Sequence, residues 1–143
     1  MKSSDFLLLC RSVRFGDTDA AGVMHFHQLL RWCHEAYEES LEKFGVSPAQ
    51  LFPRPGLELE LLLPIVHCSA DYLAPLSCGD PLAIALLPKA LNAHSFEVSY
   101  SFSSRGEAVA VGLTRHFCLQ ASNRLRAPLP ESINNWLKAA ADC

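Results

Sequence analysis

Charge is scarce in this chain. Only 19% of its 143 residues are Asp, Glu, Lys or Arg, against 50% that are hydrophobic. That balance excludes a disordered chain and predicts extra buried surface, including surface between subunits. A surplus of positive charge is also missing. With a formal net charge of -3, no global basic field is available to hold nucleic acid, and a polyanionic ligand has to be met by a local group of Arg and Lys. There is no C-x-x-C pair. The six cysteines, Cys10, Cys33, Cys68, Cys78, Cys118 and Cys143, are scattered, which argues against a zinc knuckle or a disulfide scaffold and predicts reduced thiols in a cytoplasmic protein. Long apolar runs are lacking as well. Lys2 and the stretch Phe6 to Cys10 are followed at once by Arg11 and Arg14, too short a run for a signal segment or a membrane span, so no membrane insertion is expected. With no repeat, linker or low-complexity tract, residues 1–143 read as one domain.

What is present is a clear change of period. Phe6 to Phe15 is β-compatible, with Val13 and Phe15 alternating against Arg14. From Val23 to Phe44, apolar residues fall at Phe26, Leu29, Leu30, Cys33, Ala36, Tyr37, Leu41 and Phe44, the spacing of one helical face, while Glu35, Glu38, Glu39, Glu42 and Lys43 mostly fill the other. Gly45 is placed to end that helix. Ser47-Pro48 predicts the start of a short helix over Ala49 to Phe52. Strands are expected near Leu57 to Tyr72, with Pro64 marking a bend or edge, and over Leu82 to Leu91, His94 to Ser103 and Ala108 to Gln120. Turns are expected at Pro75 to Pro81, Asn92-Ala93 and Ser104 to Glu107, and a terminal helix over Pro130 to Ala141 anchored by Trp136 and Leu137. One strand, one long helix and then several hairpin-linked strands describe an α+β architecture, an antiparallel sheet with a helix on one face. A doubly wound nucleotide fold would alternate strands and helices.

The connection Phe15-Gly16-Asp17-Thr18-Asp19-Ala20-Ala21-Gly22 carries the chemistry. Two acids stand two residues apart just ahead of the long helix, whose first turn exposes unpaired N–H groups and the positive end of its dipole. Such groups can polarise a carbonyl. Gly22 lets a ligand approach the backbone or supplies a positive φ. The plainer reading is that Asp17 or Asp19 caps the helix. Both can hold, with Asp19 structural and Asp17 facing a substrate.

This loop resembles the F-x-D-x-D-x-x-G signature of the 4-hydroxybenzoyl-CoA-thioesterase-like hot-dog proteins. The likeness continues through Arg31-Trp32, Pro64-Ile65-Val66 with Cys68, Asp71-Tyr72-Leu73-Ala74-Pro75-Leu76 to Gly79-Asp80, and Ser95-Phe96. It implies a hot-dog fold, the antiparallel sheet wrapped around the one long helix, and subunits that pair through their sheets as a homodimer or tetramer. It implies an acyl-CoA substrate and thioester hydrolysis, with Asp17 as the catalytic carboxylate and the backbone N–H groups near Met24 and His25 polarising the thioester carbonyl. A CoA thiolate leaves without a strong general acid, since its thiol pKa is near cysteine's, about 8.5. One carboxylate therefore suffices, as general base or as nucleophile, and no metal or other cofactor is expected.

Ala20 stands where many relatives have proline, and His25 to Leu30 lacks their Pro-Asn and Tyr, so His25, His27 and Leu29 leave the choice of acyl group open, while Gly22 and His25 are expected to meet the substrate. Asn92-Ala93-His94 replaces the Arg or Lys with which some relatives hold the CoA phosphates. That leaves Lys89 and Arg105, together with Arg115 and Arg124, as the candidates. His25 and His27, two apart, would diverge on a helix and not form a metal pair. His67 and His116 are expected in the core or an interface, and Glu35 on the surface or in packing. An aryl-CoA thioesterase is the first expectation. A thioesterase for short or medium acyl chains and a non-catalytic acyl-binding hot-dog protein are the rivals.

Overall fold

Alternation of large apolar and small residues builds the sheet. The computed structural model describes residues 4–143, and Lys2 lies outside the described residues. A 3-10 turn, Asp5–Leu7, leads into β1 (Leu8–Ser12), and after the acidic loop the chain forms α1 (Phe26–Phe44) and α2 (Pro48–Leu51). Then follow β2 (Leu61–Leu62), β3 (Ile65–Tyr72), β4 (Pro81–Asn92), β5 (Ser95–Ser104), β6 (Glu107–Phe117), β7 (Leu119–Gln120) and α3 (Glu131–Ala141). Five strands form one antiparallel sheet in the order β1-β4-β5-β6-β3, and β2 pairs β7 in a small second sheet.

The face carrying Leu82, Ile84 and Leu86 of β4 and Phe96, Val98, Tyr100 and Phe102 of β5 is buried against α1, which contributes Leu29, Trp32, Cys33, Ala36, Tyr37 and Leu41. This one-sided burial is why the helical period was so plain. Gly45, at φ 107°, ends α1 with its amide on the carbonyls of Leu41 and Glu42. In the core, the Tyr100 hydroxyl, Thr114 Oγ1 and His116 Nε2 form a chain at 2.9 and 2.8 Å. Trp136 of α3 donates through Nε1 to Ser40 Oγ at 3.0 Å, and Trp136 and Leu137 are both buried, anchoring α3 as expected.

Four boundaries differ from expectation. The first strand stops at Ser12, because Val13 turns to exchange backbone hydrogen bonds with Gly79 and Asp80, and Phe15–Asp17 then forms a 3-10 turn. The strand expected over Leu57 to Tyr72 is two strands, broken at Pro64, which has no N–H to offer a ladder. The strand expected to reach Gln120 breaks at Cys118, whose amide turns to the carbonyl of His94. Helix α1 starts at Phe26 and not Val23, since Met24 is bridged to Thr18 and His25 keeps an extended backbone, φ -66° and ψ 138°.

His116 is in the core, as expected; His67 is exposed on β3, so burial in this chain's own core is corrected for it. β3 is an edge strand with seven of its eight residues exposed, Ile65, Val66 and Tyr72 among them. Among the described residues, no helix is long and apolar enough to cross a membrane.

Candidate active site

Four connections meet at one end of the sheet: the loop from β1 to α1, the first turn of α1, the β3–β4 loop, and the β5–β6 turn. Register places them there, since Ser12 pairs Pro81, Ala83 pairs Ser103, and Tyr72 pairs Ala110.

The loop is a small hairpin in its own right. Thr18 bridges Met24, Asp19 and Val23 are joined by a 2.9 Å backbone bond, and the His25 amide donates to the Asp17 carbonyl at 2.9 Å. Asp19 Oδ1 accepts the Ala21 amide at 2.8 Å, so Asp19 closes this turn. Gly22 takes φ 83° at its tip, a backbone angle that favours glycine. Neither acid caps α1: the N-cap is His25, and no side chain caps the helix. Asp17 is half-buried. Its Oδ2 accepts the Arg14 amide at 2.9 Å, and among the described residues Oδ1 has no partner. One oxygen thus fixes the carboxylate and the other is presented.

The carbonyl-polarising amides need correcting. Met24 donates its N–H to the Leu76 carbonyl at 2.7 Å and His25 to Asp17, so neither is available to a thioester. The next two amides, Phe26 and His27, open α1. Too early for an intrahelical acceptor, they have none elsewhere among the described residues. The resemblance implied Met24 and His25, whereas the open donors begin at Phe26, where α1 itself starts.

His25 is half-buried, and its Nδ1 is buried without a partner. Its ring centroid lies 4.0 Å from that of His27, closer than helical geometry predicted, because His25 precedes the helix. Among the described residues, no three His, Cys, Asp or Glu side chains gather as a metal set. Phe15 and Phe26, flanking the loop, are 82% and 69% exposed, far more than isolated folding would leave for such side chains. A shallow cavity of about 280 Å³ lies beside the loop, lined by Val23, Met24, Tyr72 and Leu73 to Leu76; Asp17 is not in its lining. A roomier cavity, about 940 Å³, lies by Phe6, Phe44 and Lys138 at the far end, so volume alone does not locate this site.

Of the expected CoA contacts, Arg105 sits at the same end as Asp17, in the β5–β6 turn, its Nη1 2.8 Å from Asp80 Oδ1. That guanidinium, helped by the Ser77 amide, holds the Asp80 carboxyl below its usual range. Lys89 pairs in register with Glu97 near the opposite end of β4, so within one chain it does not join Asp17. Arg115 reaches Glu97 at 3.3 Å at that far end, and Arg124 lies beyond β7. Glu35 is tied to Arg31 at 3.2 Å and Arg11 at 3.9 Å, a surface role as expected. Two contacts were not foreseen: Arg14 donates through its backbone amide to Asp17, and Tyr72, quoted above only as part of the family likeness, donates its hydroxyl to the Phe26 carbonyl.

The profile of the thioesterase-like superfamily matches residues 13–137. The chain is 70% identical to a 1,4-dihydroxy-2-naphthoyl-CoA hydrolase of Synechococcus sp. (strain RCC307), over 90% of this chain and 98% of that protein. It is 51% identical to a protein of the same name from Prochlorococcus marinus (strain MIT 9303), over 98% and 95%. A crystal structure of a 1,4-dihydroxy-2-naphthoyl-CoA thioesterase from Synechocystis superposes with TM-score 0.82 at 33% identity, covering 92% of this chain and 95% of that one. With its antiparallel sheet packed on one long helix and a family match over most of its length, the chain belongs to the thioesterase-like superfamily and has its hot-dog fold.

Proposed function

We propose that this protein hydrolyses 1,4-dihydroxy-2-naphthoyl-CoA to the free acid and CoA, as a step of phylloquinone (vitamin K1) biosynthesis. The observation that carries the reading is the pairing of a fixed carboxylate with open amides: Asp17 presents Oδ1, and its own carbonyl is bonded to His25, one residue before the unbonded N–H groups of Phe26 and His27. A thioester carbonyl received by those amides develops its negative charge where the helix dipole favours it. Asp17 supplies the oxygen chemistry, either drawing a proton from water or attacking the carbonyl itself to give an anhydride that water then cleaves. The CoA thiolate departs unassisted, and neither route needs a cofactor. The names of the relatives at 70% and 51% identity support the aryl acyl group.

The working unit is a homodimer joined along the β3 edges, with a tetramer of two such dimers as the larger assembly. The support is the bare ladder of β3 with Ile65, Val66, Tyr72 and Leu73 exposed beside it. Six free cysteines accord with a reducing cytoplasm. The deciding experiment is a thiol-release panel: 1,4-dihydroxy-2-naphthoyl-CoA, 4-hydroxybenzoyl-CoA, butyryl-CoA and octanoyl-CoA. The naphthoyl ester should have the highest kcat/KM; an aliphatic ester in first place would replace the proposed substrate, and no release from any would remove the enzyme reading.

A further inference from the structure

The peptide unit between Phe26 and His27 is held at both ends by different forces. Its N–H has no acceptor among the described residues, and its oxygen receives the Tyr72 hydroxyl in addition to the Leu30 amide that helical geometry brings to it. Tyr72 is the last residue of β3, on the free edge of the sheet, 46 residues away in sequence, and it lines the cavity beside the Asp17 loop with Met24 and Leu76.

We propose that Tyr72 is a positioning residue for thioester hydrolysis, its hydroxyl fixing and polarising the Phe26–His27 peptide so that the His27 N–H receives the developing oxyanion. The inference rests on the hydrolase reading above. Hydrogen bonds in series strengthen one another: a second donor on the carbonyl draws electron density across the amide and makes its N–H a better donor. The bond also ties the first turn of α1, which would otherwise fray, to the sheet. Desolvation, and then the neighbouring Cys33, raises the Tyr72 hydroxyl above its ordinary pKa, so like any tyrosine it is a donor at neutral pH.

Tyr72→Phe removes the hydroxyl and keeps the ring. The expected result is a kcat lower by about five- to twentyfold, short of the 10²–10³ lost with a whole oxyanion donor, with KM changed by less than about twofold since ground-state binding is not the interaction removed. Hydrogen exchange, read by mass spectrometry on peptides covering residues 24–32, should be faster in the variant, while the thermal midpoint of the whole chain stays put. A kcat equal to wild type, or a rise in KM with kcat intact, would overturn the positioning role and make Tyr72 bland or a substrate contact. Unaltered exchange at the helix start would overturn it too. A wild type inert on every acyl-CoA of the panel would bring down the hydrolase reading and this one together, whereas an active wild type with an equally active Tyr72→Phe brings down this one alone.

Discussion

Cys33 occupies the space that a side chain on Gly112 would need. A Cβ built on Gly112 would stand 2.7 Å from Cys33 Sγ, and Cys33 is wholly buried on the helix face that meets β6. The glycine is therefore required by proximity; its backbone angles are ordinary. Here α1 approaches the sheet closely, and the thiol, its pKa pushed up to about 12 chiefly by desolvation, serves as a small apolar filler.

Gly112→Ala should accordingly lose about 1–3 kcal/mol, the usual cost of overpacking a core. Placing the same substitution in a Cys33→Ala background should recover most of that loss, since the clashing sulfur is gone. Urea unfolding of the two single variants and the double variant measures the coupling; strict additivity would show that the helix simply shifts to make room.

Asp17→Asn leaves an amide oxygen able to accept the Arg14 N–H, so the 3-10 turn should survive and the circular dichroism spectrum should match wild type. Turnover of the aryl-CoA should fall by about 10²–10⁴, the range for a lost general base. Asp19→Asn, which keeps an acceptor for Ala21, should stay within about threefold of wild type if its role is the turn alone.

Pairing along β3 has its own signature. Ser69 lies mid-strand and exposed, where antiparallel pairing of two copies brings like residues near each other. Ser69→Glu sets two carboxylates side by side across that seam. Light scattering should find wild type at a multiple of 15.8 kDa and the variant shifted toward the single chain; an unchanged assembly would place the contact elsewhere.

His116 makes stability depend on acidity. Burial, with a smaller contribution from His34, lowers its pKa from 6.5 to about 3, and its ring stacks on Phe96 at 4.6 Å with Nδ1 unbonded. The unfolded chain takes up this proton below 6.5, while the folded one holds out until about 3. The difference costs roughly 1.4 kcal/mol for each pH unit between those limits and nothing above them. His116→Phe keeps the stacking and should flatten the decline between pH 6.5 and 4, read as the wild-type-minus-variant difference in urea midpoint.

Much of this architecture could be read from the residues because single-faced burial leaves a period behind. Leu29, Cys33, Ala36, Tyr37 and Leu41 announced α1, and Arg105-Gly106 announced the turn in which both residues adopt positive φ. Pro64 signalled a break in the strand, but which segments paired afterward did not show, since β2 finds its partner in β7 through backbone bonds that leave no side-chain pattern. Asp17 was singled out by its motif; that one of its oxygens is tied to the Arg14 amide became visible only in the structure. The amides opposite it were misplaced because Leu76, more than a sheet's length away along the chain, claims the Met24 N–H. The contact of Tyr72 with Phe26 was hidden for the same reason: it exists only once strand order is known.

The strand order also governs how the chain can assemble as it is made. β1, β2 and β3 all leave the ribosome before residue 73, yet their partners, β4, β7 and β6, all come after residue 80. No early strand can pair with another early strand, so α1 emerges with its apolar face uncovered and Ile65 to Tyr72 emerges as an unpaired β-prone stretch. Long-range pairings of this kind are slow, and they extend the interval in which such segments are open to misassociation. The hazard of misassociation thus falls on the nascent chain more than on the finished fold.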